Sequence, residues 1–335
     1  MESVDLDVLT RALHWLKSGK PACLVTVVKT YGSSPRPPGA LLAIRGDGRF
    51  CGSVSGGCVD EDLIERYRGA LPAHPEVVRY GGSDAERLQL PCDGVVELVV
   101  EPLTQMDWLS DVVDNIRQRK ISCRHLNLGS GKSRLVAGDH NNVLSYGGEM
   151  LINVFGPQWR LLIIGAGQTS KYLAEIAIAL GYDVSVCDPR EEYRREWELT
   201  TVDFVEGMPD DAVQDMQVDN RTAVVTLTHD PKLDDLALLE VLNSDAFYIG
   251  VLGSSASNRK RRERLARHFN VSAEQLDRLH GPVGLPIGSR TPPEIALSIM
   301  AEMTAVRHGQ SLMENTKPES LQPSTRLRLV DKAIA

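Results

Sequence analysis

The chain lacks any Cys-x-x-Cys pair: its cysteines stand apart, at positions 23, 51, 58, 92, 123 and 187. That scatter excludes a zinc ribbon and a disulfide framework, and predicts a reducing compartment, the cytoplasm. It also lacks a run of about 18 apolar residues, so no segment is expected to span a membrane. A basic surplus is missing as well. With 37 Lys and Arg against 45 Asp and Glu, the formal net charge is −8. No nucleic-acid partner is expected, because phosphate neutralisation needs clustered cations. The opening stretch MESVDLDVLTRALHWLKSG is acidic and amphipathic, unlike a secretory signal.

What is present is a chain of 335 residues, 42% hydrophobic and 24% charged. That is the profile of a globular protein too long for one ordinary core. The expected organisation is an N-terminal α+β domain over residues 1–155 and a Rossmann-like α/β domain with a parallel sheet over 156–309. The boundary falls at Gly156-Pro157, and the polar stretch 310–335 reads as a flexible tail.

The stretch from Arg160 to Arg190 carries the clearest pattern. Leu161–Ile164 is a short apolar run suited to a buried strand, and the turn Gly165-Ala166-Gly167 follows it. Leu173, Ile176, Ala177 and Leu180 then recur at helical spacing, with Gly181 placed to close the helix. Tyr182–Cys187 makes a second strand that ends at Asp188. A strand–turn–helix–strand unit of about 30 residues is the signature of a dinucleotide-type fold. The two glycines allow a sharp turn and let an anion approach helix N–H groups that have no intrahelical partner. Asp188 stands where a ribose hydroxyl would be read, and Ser170 occupies the third fingerprint position. The pattern speaks for the fold more than for bound NAD, since folds are reused without their ligands.

Further strand ends point the same way. Thr222–Leu227 leads into Thr228-His229-Asp230-Pro231, and Phe247–Leu252 into Gly253-Ser254. In an open parallel sheet, ligands gather outside the carboxyl ends of the strands. Gly165, Gly167, Gln168, Asp188, His229, Asp230, Gly253 and Ser254 are therefore candidate binding residues. Arg259 to Arg262 fall in the opening turn expected for the next helix, where positive charge opposes the helix dipole unless an anion lies nearby. A simple solvated basic face is the other reading. Thr291, Pro292 and Glu294 form a capping box ahead of a helix running to about Arg307.

The N-terminal part reads as an amphipathic helix over 5–18, strands at Ala22–Lys29, Leu41–Arg45 and Arg49–Val54, and a helix after Cys58. A strand at Val95–Glu101, a helix over 107–119 and a run of strands over 121–155 complete it. The Pro/Gly cluster YGSSPRPPGA (31–40) separates the first two strands. After Gly56 and Gly57, Cys58 falls at or beside a first helical residue, where unpaired N–H groups and the helix dipole would favour its thiolate. The acidic run Asp60–Asp62 opposes that shift, and a small buried cysteine beside a glycine turn is the plainer alternative. Cys92, in the loop Leu90–Gly94, could bring a second thiol to the same mouth.

Two sets of motifs then stand together. GSSPRPPGA, DGRFCGSVSGGCVDE and the Cys92 loop resemble the N-terminal domain of the xanthine dehydrogenase accessory factor family, the XdhC/CoxI type. IIGAGQ, CDPR, THDPKLDD, YIGVLGS and HGPVGLPIGSRTPPEIA resemble its Rossmann domain, so the likeness runs in order from about residue 20 to 308. The resemblance implies an accessory protein rather than an enzyme with its own turnover. Such a protein binds molybdenum cofactor, protects it during sulfuration and assists its insertion into an apo xanthine or aldehyde dehydrogenase-type molybdoenzyme. A cysteine desulfurase as sulfur source and a homodimer are family-level expectations. Two positions depart from the family pattern: Cys92-Asp93-Gly94 stands for Cys-Gly-Gly, and Gln168 for a frequent His. On this reading Gly56, Gly57 and Cys58 meet the metal end of the cofactor with Cys92 in support, and the Gly165–Gly167 turn with Arg259 or Lys260 holds its phosphate. The competing expectation is an NAD(P)-dependent oxidoreductase using Gly165, Gly167 and Asp188 for the dinucleotide and His229 as acid/base. A third treats the Rossmann domain as a docking scaffold for the dehydrogenase.

Overall fold

The structure, a computed structural model, describes residues 3–32, 36–81, 94–139 and 142–310. The Cys92 loop and the tail from residue 311 lie outside the described residues.

The first third runs α1 (Ser3–Lys17), β1 (Ala22–Tyr31), β2 (Leu41–Arg45), β3 (Phe50–Gly52), α2 (Cys58–Tyr67), β4 (Glu76–Tyr80), β5 (Val95–Pro102) and α3 (Asp107–Arg117). Its strands form an antiparallel sheet in the order β3-β2-β1-β5-β4. Alternation along β1 decides what covers each face. Cys23, Val25 and Val27 pack with Val59 and Leu63 of α2, whereas Leu24 turns to Leu9 of α1 and Val112 of α3. A second antiparallel sheet follows, from β6 (Ser122–Asn127), β7 (Ser133–Ala137), β8 (Ser145–Tyr146) and β9 (Met150–Phe155), in the order β7-β6-β9-β8. Leu126 and Leu151 of this sheet pack on Val28 and Val99 of the first. Beside them Arg124 makes two 2.7 Å hydrogen bonds to Glu101, and its guanidinium lies 3.6 Å from the Trp108 ring centroid.

From Arg160 the architecture changes. The elements are β10 (Arg160–Ile164), α4 (Gln168–Ala179), β11 (Asp183–Cys187), α5 (Glu191–Arg195), β12 (Asp203–Val205), α6 (Pro209–Asp215), β13 (Thr222–Thr226) and α7 (Pro231–Val241). Then come β14 (Tyr248–Val251), α8 (Ser255–Phe269), α9 (Ala273–Asp277), β15 (Leu279–His280) and α10 (Pro292–Arg307). The strands make one parallel sheet in the order β12-β11-β10-β13-β14-β15, which is the Rossmann order. Both faces are buried, and that is why β10 and β13 are apolar without alternation. Leu161 and Ile163 face α4 and α10, while Leu162 and Ile164 face α6 and α7. Helix α4 ends in a Schellman motif: Gly181 at φ +83° donates to Ile178 O, and Tyr182 N–H reaches back to Ala177 O.

Arg119 joins the two halves, donating to Asp219 at 2.6 and 2.8 Å, and Arg221 donates to Pro157 O at 2.9 Å. Among the described residues no helix is long and apolar enough to cross a membrane.

The basic run 259–262 does not open its helix, although the sequence predicts that it does. Helix α8 begins at Ser255, capped by Ser254, so Arg259 lies in its second turn rather than its first. Arg261 is buried and pairs with Asp234 at 3.0 Å and Asp235 at 3.2 Å, while Arg262 donates to Leu276 O and Leu279 O. The anion that this basic run requires is supplied by α7. Arg259 and Lys260 are exposed.

Candidate functional site

The carboxyl ends of β10, β11, β13 and β14 lie together, and the sequence-predicted residues of this half gather there. Gly165 sits at φ +109°, and a Cβ on it would fall 2.9 Å from Thr228 N, so only glycine fits between the strand ends. The next peptide N–H, of Ala166, donates to Asp188 Oδ2 at 2.8 Å. Gly167 is the N-cap of α4 and offers it no side-chain hydrogen bond.

Asp188 is 3% exposed and satisfied from within the protein. Its Oδ1 accepts from Arg190 N–H at 3.1 Å and Nε at 2.9 Å, and its Oδ2 from Arg190 Nη2 at 2.7 Å. Burial pushes this carboxyl up, but the hydrogen bonds from Arg190 and Ala166 outweigh burial and hold it below the ordinary carboxylate value. The residue that the fingerprint assigns to a ribose thus ties the glycine turn to Arg190. Arg190 in turn lies 3.8 Å over the Tyr193 ring and reaches Thr228 O at 3.4 Å.

The loop after β13 is held by Asp234, which accepts from Thr228 Oγ1 at 2.7 Å and Thr228 N–H at 3.3 Å. Burial raises the Asp234 carboxyl despite the donors of Thr228 and the charge of Arg261. Asp230 caps α7 by accepting from Lys232 N–H at 2.9 Å, with Pro231 in the first helical position. Between them His229 is exposed at φ +61°. Ser254 caps α8, accepting from Ser257 N–H at 3.1 Å, and Gly253 O accepts from Asn258 Nδ2 at 3.0 Å. Two of the predicted binding residues, Asp230 and Ser254, therefore cap helices through their side chains.

A cleft of about 530 Å³ opens beside the glycine turn. Ala166–Gln168 and Lys171 form one side, and Glu192, Tyr193, Glu196 and Trp197 the other.

In the N-terminal half, Cys58 is the first residue of α2, as expected from the glycines before it. The donors expected to face it are already engaged: Ser55 Oγ accepts from Val59 N–H at 3.0 Å and Asp60 N–H at 3.3 Å. Asp60 is buried and accepts from Ser53 Oγ at 2.6 Å and Val54 N–H at 2.8 Å, bracing the loop. Among the described residues no hydrogen bond or ion pair joins this loop to the Rossmann loops.

The family description "XdhC Rossmann domain" matches residues 161–303, and "XdhC and CoxI family" matches residues 15–81. The molybdenum cofactor insertion chaperone PaoD of Escherichia coli is 31% identical over 307 residues, covering 90% of this chain and 88% of that protein. The chain belongs to the XdhC and CoxI family. A probable subunit of xanthine dehydrogenase from Bacillus subtilis is 26% identical over 321 residues, 87% of this chain and 95% of that one. A crystal structure described as a xanthine dehydrogenase from Bacillus halodurans superposes with a TM-score of 0.72 over 94% of this chain and 98% of that chain, at 23% identity, and shows the same fold.

Within this XdhC-type framework, residues that the sequence did not single out as binding candidates organise the site, although Arg190 lies in the CDPR motif and Asp234 in THDPKLDD. Arg190 and Asp234 turn the strand ends into a braced unit, and Glu192, Tyr193, Glu196 and Trp197 form a wall outside every motif. Spacing gives no signal for the wall, because α5 ends at Arg195 and Glu196 and Trp197 follow it.

Proposed function

We propose that the chain carries molybdenum cofactor as cargo and assists its insertion into an apo xanthine or aldehyde dehydrogenase-type molybdoenzyme. The observation that carries this is the likeness to the insertion chaperone PaoD, which extends over 90% of the chain and so takes in both halves rather than the Rossmann unit alone. The residue arrangement supports it in two ways. A loop braced by Ser53, Ser55 and Asp60 leads through Gly56 and Gly57 to Cys58 as the first residue of α2, and a cysteine is a soft donor suited to the metal end or its sulfur. At the other end Asp188 has no oxygen left over for a ribose, which weighs against the NAD(P)-dependent oxidoreductase reading. Protection of the cofactor during sulfuration, sulfur supply by a cysteine desulfurase, and pairing of two chains belong to the same proposal.

The test is molybdenum and pterin analysis of the full chain purified from cells that make the cofactor, for the wild type and Cys58→Ala. Stoichiometric molybdenum and pterin in the wild type and loss in the variant are expected. Retention at the wild-type level in Cys58→Ala removes the thiol from the picture. An empty wild type that takes up no cofactor from a donor yet binds NADH overturns the carrier reading.

A further inference from the structure

The cleft beside the glycine turn has an unusual wall for a Rossmann site. Glu192 and Glu196 are exposed, and among the described residues neither carboxylate forms a hydrogen bond or an ion pair. They alternate with two aromatic rings, Tyr193 and Trp197. One face of Tyr193 is covered by the Arg190 guanidinium at 3.8 Å, and the ring remains 37% exposed. Trp197 is held edge-on against Phe204, with centroids 6.3 Å apart, and its buried Nε1–H has no acceptor among the described residues. Rings fixed from behind by a guanidinium and by a second ring are preorganised platforms for a flat ligand.

We infer that this cleft binds a planar heterocycle bearing an aminopyrimidinone edge, stacked along Tyr193 and Trp197 and read by the carboxylates of Glu192 and Glu196. That edge places a ring N–H beside an exocyclic NH₂, two parallel donors that match the two oxygens of a carboxylate. Adenine sets a donor beside an acceptor nitrogen, and a carboxylate repels the acceptor. Selection for the aminopyrimidinone edge follows from the wall, and the closed Asp188 removes the ribose contact that an adenine dinucleotide would use. Two sources share this chemistry: the pterin of the proposed cargo, where the inference rests on that reading, and a guanine nucleotide, where it does not.

Calorimetric titration of the full chain with 6-hydroxymethylpterin, GMP, AMP and NAD⁺ tests it. At least one of the first two is expected to bind about tenfold or more tighter than AMP, a difference of about 1.4 kcal/mol. The double variant Glu192→Gln/Glu196→Gln should lose that preference while unfolding as the wild type does, because both side chains are exposed and without bonds. Selective pterin binding identifies the cargo as the source, and selective GMP binding identifies a nucleotide. AMP or NAD⁺ binding as tight as either, or an unchanged double variant, overturns the inference. Loaded protein whose cofactor content is untouched by the double variant, with no preference in the titrations, sinks the cleft and leaves the carrier reading standing. Selective GMP binding by a chain that never takes up cofactor does the reverse.

Discussion

Replacing Asp188 by Asn keeps the shape of the side chain and reverses half of its hydrogen bonding. In the wild type, Oδ1 faces two donors on Arg190, and Oδ2 faces Ala166 N–H and Arg190 Nη2. An amide can present its oxygen to only one of these pairs. Whichever way it turns, its NH₂ meets two N–H groups, in a place where the side chain is fully buried. A buried donor left unsatisfied costs about 1–3 kcal/mol. Arg190 is the more exposed partner and recovers part of its loss from water, so the lower half of that range applies to its groups. The expected cost is about 3 kcal/mol in all, which corresponds to a fall of roughly 6–12 °C in the Tm of a unit this size. Thermal and urea unfolding followed by circular dichroism would measure it. A variant within about 0.5 kcal/mol of the wild type would refute the claim that Asp188 is a brace.

The pH dependence supplies a second check. The folded Asp188 carboxyl lies below its ordinary value, because the Arg190 and Ala166 donors outweigh burial. Its contribution is therefore fully present above the unfolded value of about 3.9 and is lost as pH falls through the lower folded value. The gap between wild type and Asp188→Asn should be constant from about pH 5 to 8 and close in stronger acid. A gap that opened toward acid would contradict the assignment.

The ion pair between the antiparallel sheets should behave asymmetrically. Glu101→Leu alone strands a buried Arg124 and should cost about 3–5 kcal/mol, whereas Glu101→Leu/Arg124→Met should recover most of it; equal urea midpoints for the two would count against this. Gly165→Ala forces a side chain into positive φ against the Thr228 backbone and should cost about 2 kcal/mol or more, with a shift inside measurement error as the contrary result. Burial pushes the thiols of Cys23 and Cys187 up to about 12. Both should stay unmodified by iodoacetamide at about pH 8 in the folded chain and react in urea, as peptide mass spectrometry would show.

The parallel sheet is legible in the sequence because its core strands are continuous apolar runs and its helix α4 has a clean period and a glycine stop. What lies between Asp188 and Thr222 is not. Helix α5, β12 and α6 are five, three and seven residues long, too short for a period to emerge from a polar stretch. The basic run 259–262 suggests a helix start of its own, whereas Ser254, three positions before Ser257, is the ordinary cap that sets the start of α8. Asp230-Pro231 is likewise a cap followed by a first-turn proline, a pattern that at a strand end looks the same as a ligand contact. Cys58 falls at the helix start as expected, but periodicity says nothing about a serine hydroxyl, and Ser55 engages the donors beside it. The position of a group follows from pattern; what satisfies it depends on side-chain directions that only the fold supplies.

Asp188 is the place where that distinction bears on function. In a dinucleotide site the acid at the end of the second strand faces outward to a sugar. Here it turns its oxygens to Ala166 and Arg190, and Arg190 passes the constraint to the Tyr193 ring. The same carboxylate thus closes the ribose position and fixes the aromatic wall of the cleft. Asp188→Asn should then weaken the binding of a flat ligand without touching it, by loosening Tyr193. Glu192→Gln/Glu196→Gln should weaken the same ligand with Tyr193 still in place. Tyr193→Leu combined with each variant separates the two routes: once the ring is gone, Asp188→Asn should weaken binding little further, because it acts only through that ring, whereas the glutamate pair should remain nearly additive with it. Full additivity in both combinations would show that Asp188 and Tyr193 are not coupled through Arg190.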